Sequence, residues 1–113
     1  MANKITPTNF FETRYKRLVK KFPALKAELL ILSEALQNNH ELGENLGGGL
    51  YKIRLASADK GKGKSGGFRI ITYSVAEVKP NEYEVFLITI YDKSEESTIK
   101  KSDLLKLIKS IFS

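Results

Sequence analysis

The chain has 113 residues, 42% of them apolar, 28% charged and none of them cysteine. That is one domain's worth of chain, with material for one core; disulfides, thiolate chemistry and zinc–thiolate centres are excluded, and the lack of cysteine fits a cytoplasmic protein. The formal net charge of +6 favours a polyanionic partner: nucleic acid first, an acidic protein second, an anionic membrane third.

In chain order, residues 1–7 show no apolar core of a secretory leader, and no later stretch approaches the roughly 18 apolar residues of a membrane span. Lys4-Ile5-Thr6 reads as a short strand ended by Pro7. Asn9 and Glu12 have the spacing of a capping box, and Phe11, Tyr15, Leu18 and Phe22 recur at helical spacing behind it. Arg14, Lys16, Arg17, Lys20 and Lys21 fall mostly on the other side, a solvated basic face or a surface for RNA. Pro23 suits the first turn of a second helix, whose stripe is Leu25, Leu29, Leu32 and Leu36 and whose end lies at Asn38-Asn39 and Gly43. The two helices read as an αα-hairpin. Residues 37–49 read as a loop, and His40 in it as a solvated residue that nothing nearby orients.

Tyr51-Lys52-Ile53-Arg54-Leu55 alternates apolar and basic, the period of a half-buried strand. Residues 60–67 hold four glycines and three lysines and cannot keep regular structure. Phe68 to Val75 alternates again and is rich in β-branched residues. From Lys52 to Arg69 there are six Lys or Arg and one acid, Asp59, so this run carries +5 of the chain's +6. Such clustering is the footprint of a phosphate-rich partner. Pro80-Asn81 marks a turn, Tyr83 to Tyr91 is a strand apolar enough for a sheet centre, and Ser102 reads as the cap of a last helix striped by Leu104, Leu107, Ile108 and Ile111. The order β, α, α, β, β, β, α gives an α+β fold with a mostly antiparallel sheet.

Several residues carry candidate chemistry. Gly63-Lys64-Ser65 looks like the end of a P-loop, but Ala58 stands where the first glycine is required and a strand follows instead of a helix, so nucleotide-triphosphate binding is rejected. Lys52 and Arg54 leave one face of their strand, and Arg69, opening the partner strand, reaches the same region. Like charges facing across a hairpin are costly unless an anion, or acids such as Glu95 and Glu96, neutralise them. Lys60, Lys62, Lys64 and Ser65 can follow a phosphate backbone or form a plain hairpin tip, with the Gly66-Gly67 amides as an anion nest. Tyr91 is a core or edge tyrosine, or a platform for a base. Asp59, Asp92, Glu95 and Glu96 have no spacing that argues for a metal.

With these residues in place, the chain resembles the RelE-type ribonuclease toxins of bacterial toxin–antitoxin modules, in the HigB-like branch of the RelE/ParE superfamily. The resemblance rests on Tyr51-Lys-Ile-Arg-Leu55, Gly63-Lys-Ser-Gly-Gly-Phe-Arg-Ile-Ile-Thr72, Phe86-Leu-Ile-Thr-Ile-Tyr-Asp-Lys-Ser-Glu95 and the Lys20-Lys-Phe-Pro23 corner, and runs through essentially the whole chain. It implies one domain over 1–113, with two helices packed on a curved sheet and a C-terminal helix. It implies metal-independent cleavage of messenger RNA in the ribosomal A site by 2′-hydroxyl attack, with no cofactor. The family's two basic positions on the first long strand fall on Lys52 and Arg54, its next arginine on Arg69, and a further basic position on or near Lys93. The tyrosine that RelE carries before its last helix falls at Ile99 or its neighbours, so that role is unfilled. Arg54 and Arg69 suit a phosphate clamp; Lys52 is the first choice of base, with Lys93 and Glu95 as alternatives for proton transfer, and Tyr91 and Glu95 are further RNA contacts. Expected partners are the 30S A site, messenger RNA and a cognate antitoxin carrying a helix-turn-helix DNA-binding domain, with no membrane. The alternatives are a ParE-like inhibitor of a topoisomerase that cuts nothing, and a non-enzymatic RNA- or DNA-binding module.

Overall fold

The computed structural model describes residues 3–60, 67–94 and 99–112. Its elements are β1 (Lys4–Pro7), α1 (Asn9–Lys21), α2 (Leu25–Asn38), β2 (Glu44–Gly47), β3 (Leu50–Leu55), a 3-10 turn (Ala58–Lys60), β4 (Phe68–Ala76), β5 (Tyr83–Asp92) and α3 (Lys101–Phe112). One five-stranded sheet runs β1-β5-β4-β3-β2, antiparallel except where β1 lies parallel to β5. This is the α+β arrangement expected, with one strand more: β2 falls inside residues 37–49, where the sequence reads as loop. Glu-Asn-Leu-Gly has no alternation, and it becomes a strand because β3 offers it an edge.

One face of the sheet is covered by two helices and part of the other by one. On the first, α1 and α2 lay Phe11, Leu18, Leu25, Leu32 and Leu36 against Ile53, Phe68, Ile70, Val85, Leu87 and Ile90. On the other, α3 lays Leu104, backed by Leu107, Ile108 and Ile111, against Leu50, Ile71, Ile88 and Tyr91. Leu25 and Leu36 are fully enclosed, each worth about 1.5–3 kcal/mol of burial. The strand β5 faces both layers by alternation, and a bulge shifts its phase: Ile71 pairs with Thr89 and Thr72 with Leu87, leaving Ile88 as the extra residue. One extra residue reverses the alternation. Leu87 and Ile90 therefore join the helical-hairpin core, and Tyr91, four residues after Leu87, turns to the α3 face.

Three local readings are corrected. The cap of α1 is Thr8, not Asn9: its Oγ1 accepts from Phe11 N at 3.2 Å and donates to the Leu87 carbonyl at 2.9 Å, so the turn is set by docking on β5. Ser102 is the second residue of α3 rather than its cap, because the Lys100 carbonyl already accepts from the amides of Asp103 and Leu104. His40 is half-buried, its ring stacked on Tyr83 at 3.6 Å and edge-on to Tyr51 at 6.3 Å, so it is oriented after all. The turn at Pro80-Asn81 stands, with Asn81 at φ 64° and Glu77 N donating to the Glu82 carbonyl at 2.8 Å. Among the described residues no helix is long and apolar enough to cross a membrane.

Candidate nucleic-acid interface

The period of two on β3 decides where its cations go. Leu50 is in the α3 core and Ile53 in the helical-hairpin core, so Lys52 and Arg54 project from the α3 face. The register then sets Arg54 directly opposite Arg69, and Arg69 directly opposite Tyr91. Three strands thus present one row, Arg54–Arg69–Tyr91, with Lys52 one step along β3. Opposed positions place Cβ atoms about 4.5–5.5 Å apart, so the two arginines are neighbours by construction.

The row is graded in exposure. Arg54 is open to solvent, whereas Arg69 is 6% and Tyr91 2% exposed. Arg69 donates from Nη1 to the Phe68 carbonyl at 3.4 Å, a long bond for one of five donors. Among the described residues, neither Arg54 nor Arg69 has a carboxylate within ion-pair distance. Lys52 does: its Nζ lies 3.7 Å from Oε1 of Glu44, the residue opposite it on β2. Glu44 is two-thirds exposed while the Lys52 side chain is only 20% exposed, so the carboxylate is the arm of the pair that a stronger anion can displace.

The remaining candidates divide. Lys93 N donates to the Gly67 carbonyl at 3.3 Å, which brings Lys93 beside the start of β4, at the Tyr91 end of the row. Tyr91 is aligned with Arg69, but the α3 cluster encloses it, and base stacking on it requires α3 to move. Lys60 ends the 3-10 turn at the base of the basic loop. Lys62, Lys64, Ser65 and Glu95 lie outside the described residues. Asp59 is not a free acid beside them: its Oδ2 accepts from Ala24 N at 2.7 Å and caps α2, whose own Ala24 has no side chain to do so. Glu28 reciprocates from the first turn of α2, accepting from Ala58 N at 2.8 Å. No group of three metal-ligating side chains occurs among the described residues.

Glu44 is the residue that the sequence reading missed. Its strand is too short to show a period, so nothing local marked it as the partner of Lys52. Beside the pair, a groove of about 400 Å3 runs along β3, floored by Leu32, Leu42 and Ile53 and edged by Glu44, Lys52 and Arg54. Gly43 forms its end at φ 93°, close against the Lys52 carbonyl.

A comparison with known families bears on the whole of this arrangement of elements. Residues 8–111 match the family model described as the RelE toxin of the RelE/RelB toxin–antitoxin system. The match takes in α1 through all but the last residue of α3, and with it each of the cations in the row. The chain belongs to the RelE toxin family, and its family partner is a cognate antitoxin.

Proposed function

We propose that this toxin is an endoribonuclease that cleaves messenger RNA in the ribosomal A site, in the cytoplasm, by attack of a ribose 2′-oxygen on the adjacent phosphorus. The observation that carries the reading is Arg69, a guanidinium almost wholly enclosed, opposed by a second arginine and without a carboxylate among the described residues. An enclosed cation facing a like charge is costly and is relieved by an anion. A phosphodiester supplies that anion, and the phosphorane formed from it carries more charge than the ground state. Fixed cations therefore favour the transition state over the substrate.

In the reaction, the 2′-oxygen forms a bond to phosphorus, its proton passes to a base, and the 5′-oxygen leaves with a proton from an acid. Arg54 is the exposed arm that grips the phosphate; Arg69 lies behind it, where solvent screens it least. Lys52 and Glu44, already in contact, stand beside Arg54 as the proton-transfer pair, with Lys93 at the other end of the row. Lys60 and the lysines of the basic loop follow the flanking backbone. The ribosome bends the message for in-line attack. A cognate antitoxin with its own helix-turn-helix domain restrains the toxin.

The test is expression in bacteria with mapping of message 5′ ends across codons. Wild type produces in-frame cuts within translated codons. Arg54→Ala and Arg69→Ala, checked for folding by circular dichroism, lose growth arrest and cleave on the order of 10²-fold more slowly. Growth arrest with intact messages and relaxed or broken chromosomal DNA would replace this reading with topoisomerase poisoning. Salt-sensitive RNA binding without cuts would reduce it to a binding module.

A further inference from the structure

A second surface lies at the other edge of the sheet, between α1 and α3. Two adjoining cavities share Asn9, Phe10 and Ile111. One, of about 500 Å3, lies between the Arg14–Arg17 side of α1 and Leu107 and Ser110 of α3. The other, of about 340 Å3, continues over Pro7, Phe86 and Phe112. The helical period explains the wall: residues 10, 13, 14 and 17 form one stripe of α1, and 107, 110 and 111 one stripe of α3. The floor is apolar. Phe112 packs edge-on to Phe86 at 4.7 Å yet stays 44% exposed, and Phe10 is 38% exposed. Arg14 lies over the Phe10 ring at 5.1 Å. Among the described residues no acid lines either cavity, whereas two arginines do.

We propose that this α1–α3 groove is where the antitoxin docks an amphipathic segment, with apolar anchors on Phe10, Phe86 and Phe112 and a carboxylate on the exposed Arg17. The inference rests on membership of a toxin–antitoxin family and not on cleavage of RNA. Charge complementarity selects the occupant. A nucleic-acid backbone would meet an apolar floor that offers its phosphates little beyond the two guanidinium groups, whereas an acidic amphipathic peptide matches both floor and rim. Exposed aromatic side chains flanked by arginine are also the composition of interface hot spots. The groove lies on the β1–β5 edge, while Arg54 and Lys52 are on β3, so docking here leaves the cationic row to be dealt with separately.

The experiment is calorimetric titration of purified toxin with its full-length cognate antitoxin, run alongside growth assays with and without antitoxin co-expression. Phe10→Ala/Arg17→Glu is expected to weaken binding by on the order of 30-fold or more, to escape neutralisation, and to keep full growth arrest when expressed alone. Arg17→Glu alone, which leaves Phe10 and its contact with Arg14 in place, is the companion should the first variant fold poorly, and it is expected to lose affinity in the same direction. Arg54→Ala is expected to bind antitoxin through the groove whatever its effect on RNA. Wild-type affinity in both groove variants overturns the proposal. So does a toxin dimer in solution that these variants dissolve, because the occupant would then be a second copy of the chain.

Discussion

Arg54 and Arg69 hold opposed positions one pair in from Leu55 and Phe68 at the end of the β3–β4 hairpin, a placement that costs stability until something anionic arrives. Arg54→Thr keeps a good strand residue and removes the repulsion, so it is expected to raise folding stability by about 0.5 kcal/mol while removing activity. Inorganic phosphate at constant ionic strength should raise the melting temperature of wild type more than that of Arg54→Thr, since binding to the folded state adds stability by mass action. Equal shifts would show that the pair holds no anion. Tyr51 gives a second residue-scale expectation. Burial first, then the Glu41 carboxylate 3.4 Å from its hydroxyl and neighbouring Tyr83, raise its pKa above the ordinary 10.0. The folded state then keeps a proton that the unfolded chain gives up. The stability gained is complete below the unfolded value and falls as pH rises through the folded one. Urea unfolding of Tyr51→Phe between about pH 9 and about pH 11 should show a shallower alkaline loss than wild type. Some loss remains, because burial raises Tyr15 as well.

At the scale of elements, α1 shows how docking overrides a local signal. Asn9 and Glu12 have capping-box spacing, yet Thr8 caps, since the same hydroxyl also reaches the β5 backbone. Thr8→Ala is therefore expected to cost about 1–2 kcal/mol in chemical denaturation and Asn9→Ala little. The reverse order would restore Asn9 as the cap. Similar logic holds at the base of the basic loop, where Asp59 and Glu28 exchange hydrogen bonds between the 3-10 turn and the start of α2. That exchange ties the 3-10 turn to the start of α2, with Asp59 35 residues along the chain from Ala24. Asn3 does the same at the far edge, binding the Leu36 carbonyl with its amide and the Tyr83 amide with its oxygen.

At the scale of the molecule, three layers divide the labour: α1 and α2 supply most of the core, α3 covers part of the other face, and the cationic row takes the rest of that face. The concentration of charge between Lys52 and Arg69 was legible in the sequence, because charge is a property of composition and needs no partner. So were α1, α2, α3 and the three long strands, because amphipathic periods of 3.6 and 2 are local consequences of burying one side. The common face of Lys52 and Arg54 followed from the same period. Contacts between distant segments were not legible, since they depend on register and packing that no local pattern encodes. The opposition of Arg54 to Arg69 needed the β3–β4 register, the pairing of Lys52 with Glu44 needed a strand that exists only as an edge partner, and the phase of Tyr91 needed one bulge at Ile88. The α1–α3 groove joins residues nearly a full chain length apart. Sequence determined which side chains this protein has to offer an anion; the tertiary structure decided which of them meet, because facing is set by long-range pairing and burial by the layers above it.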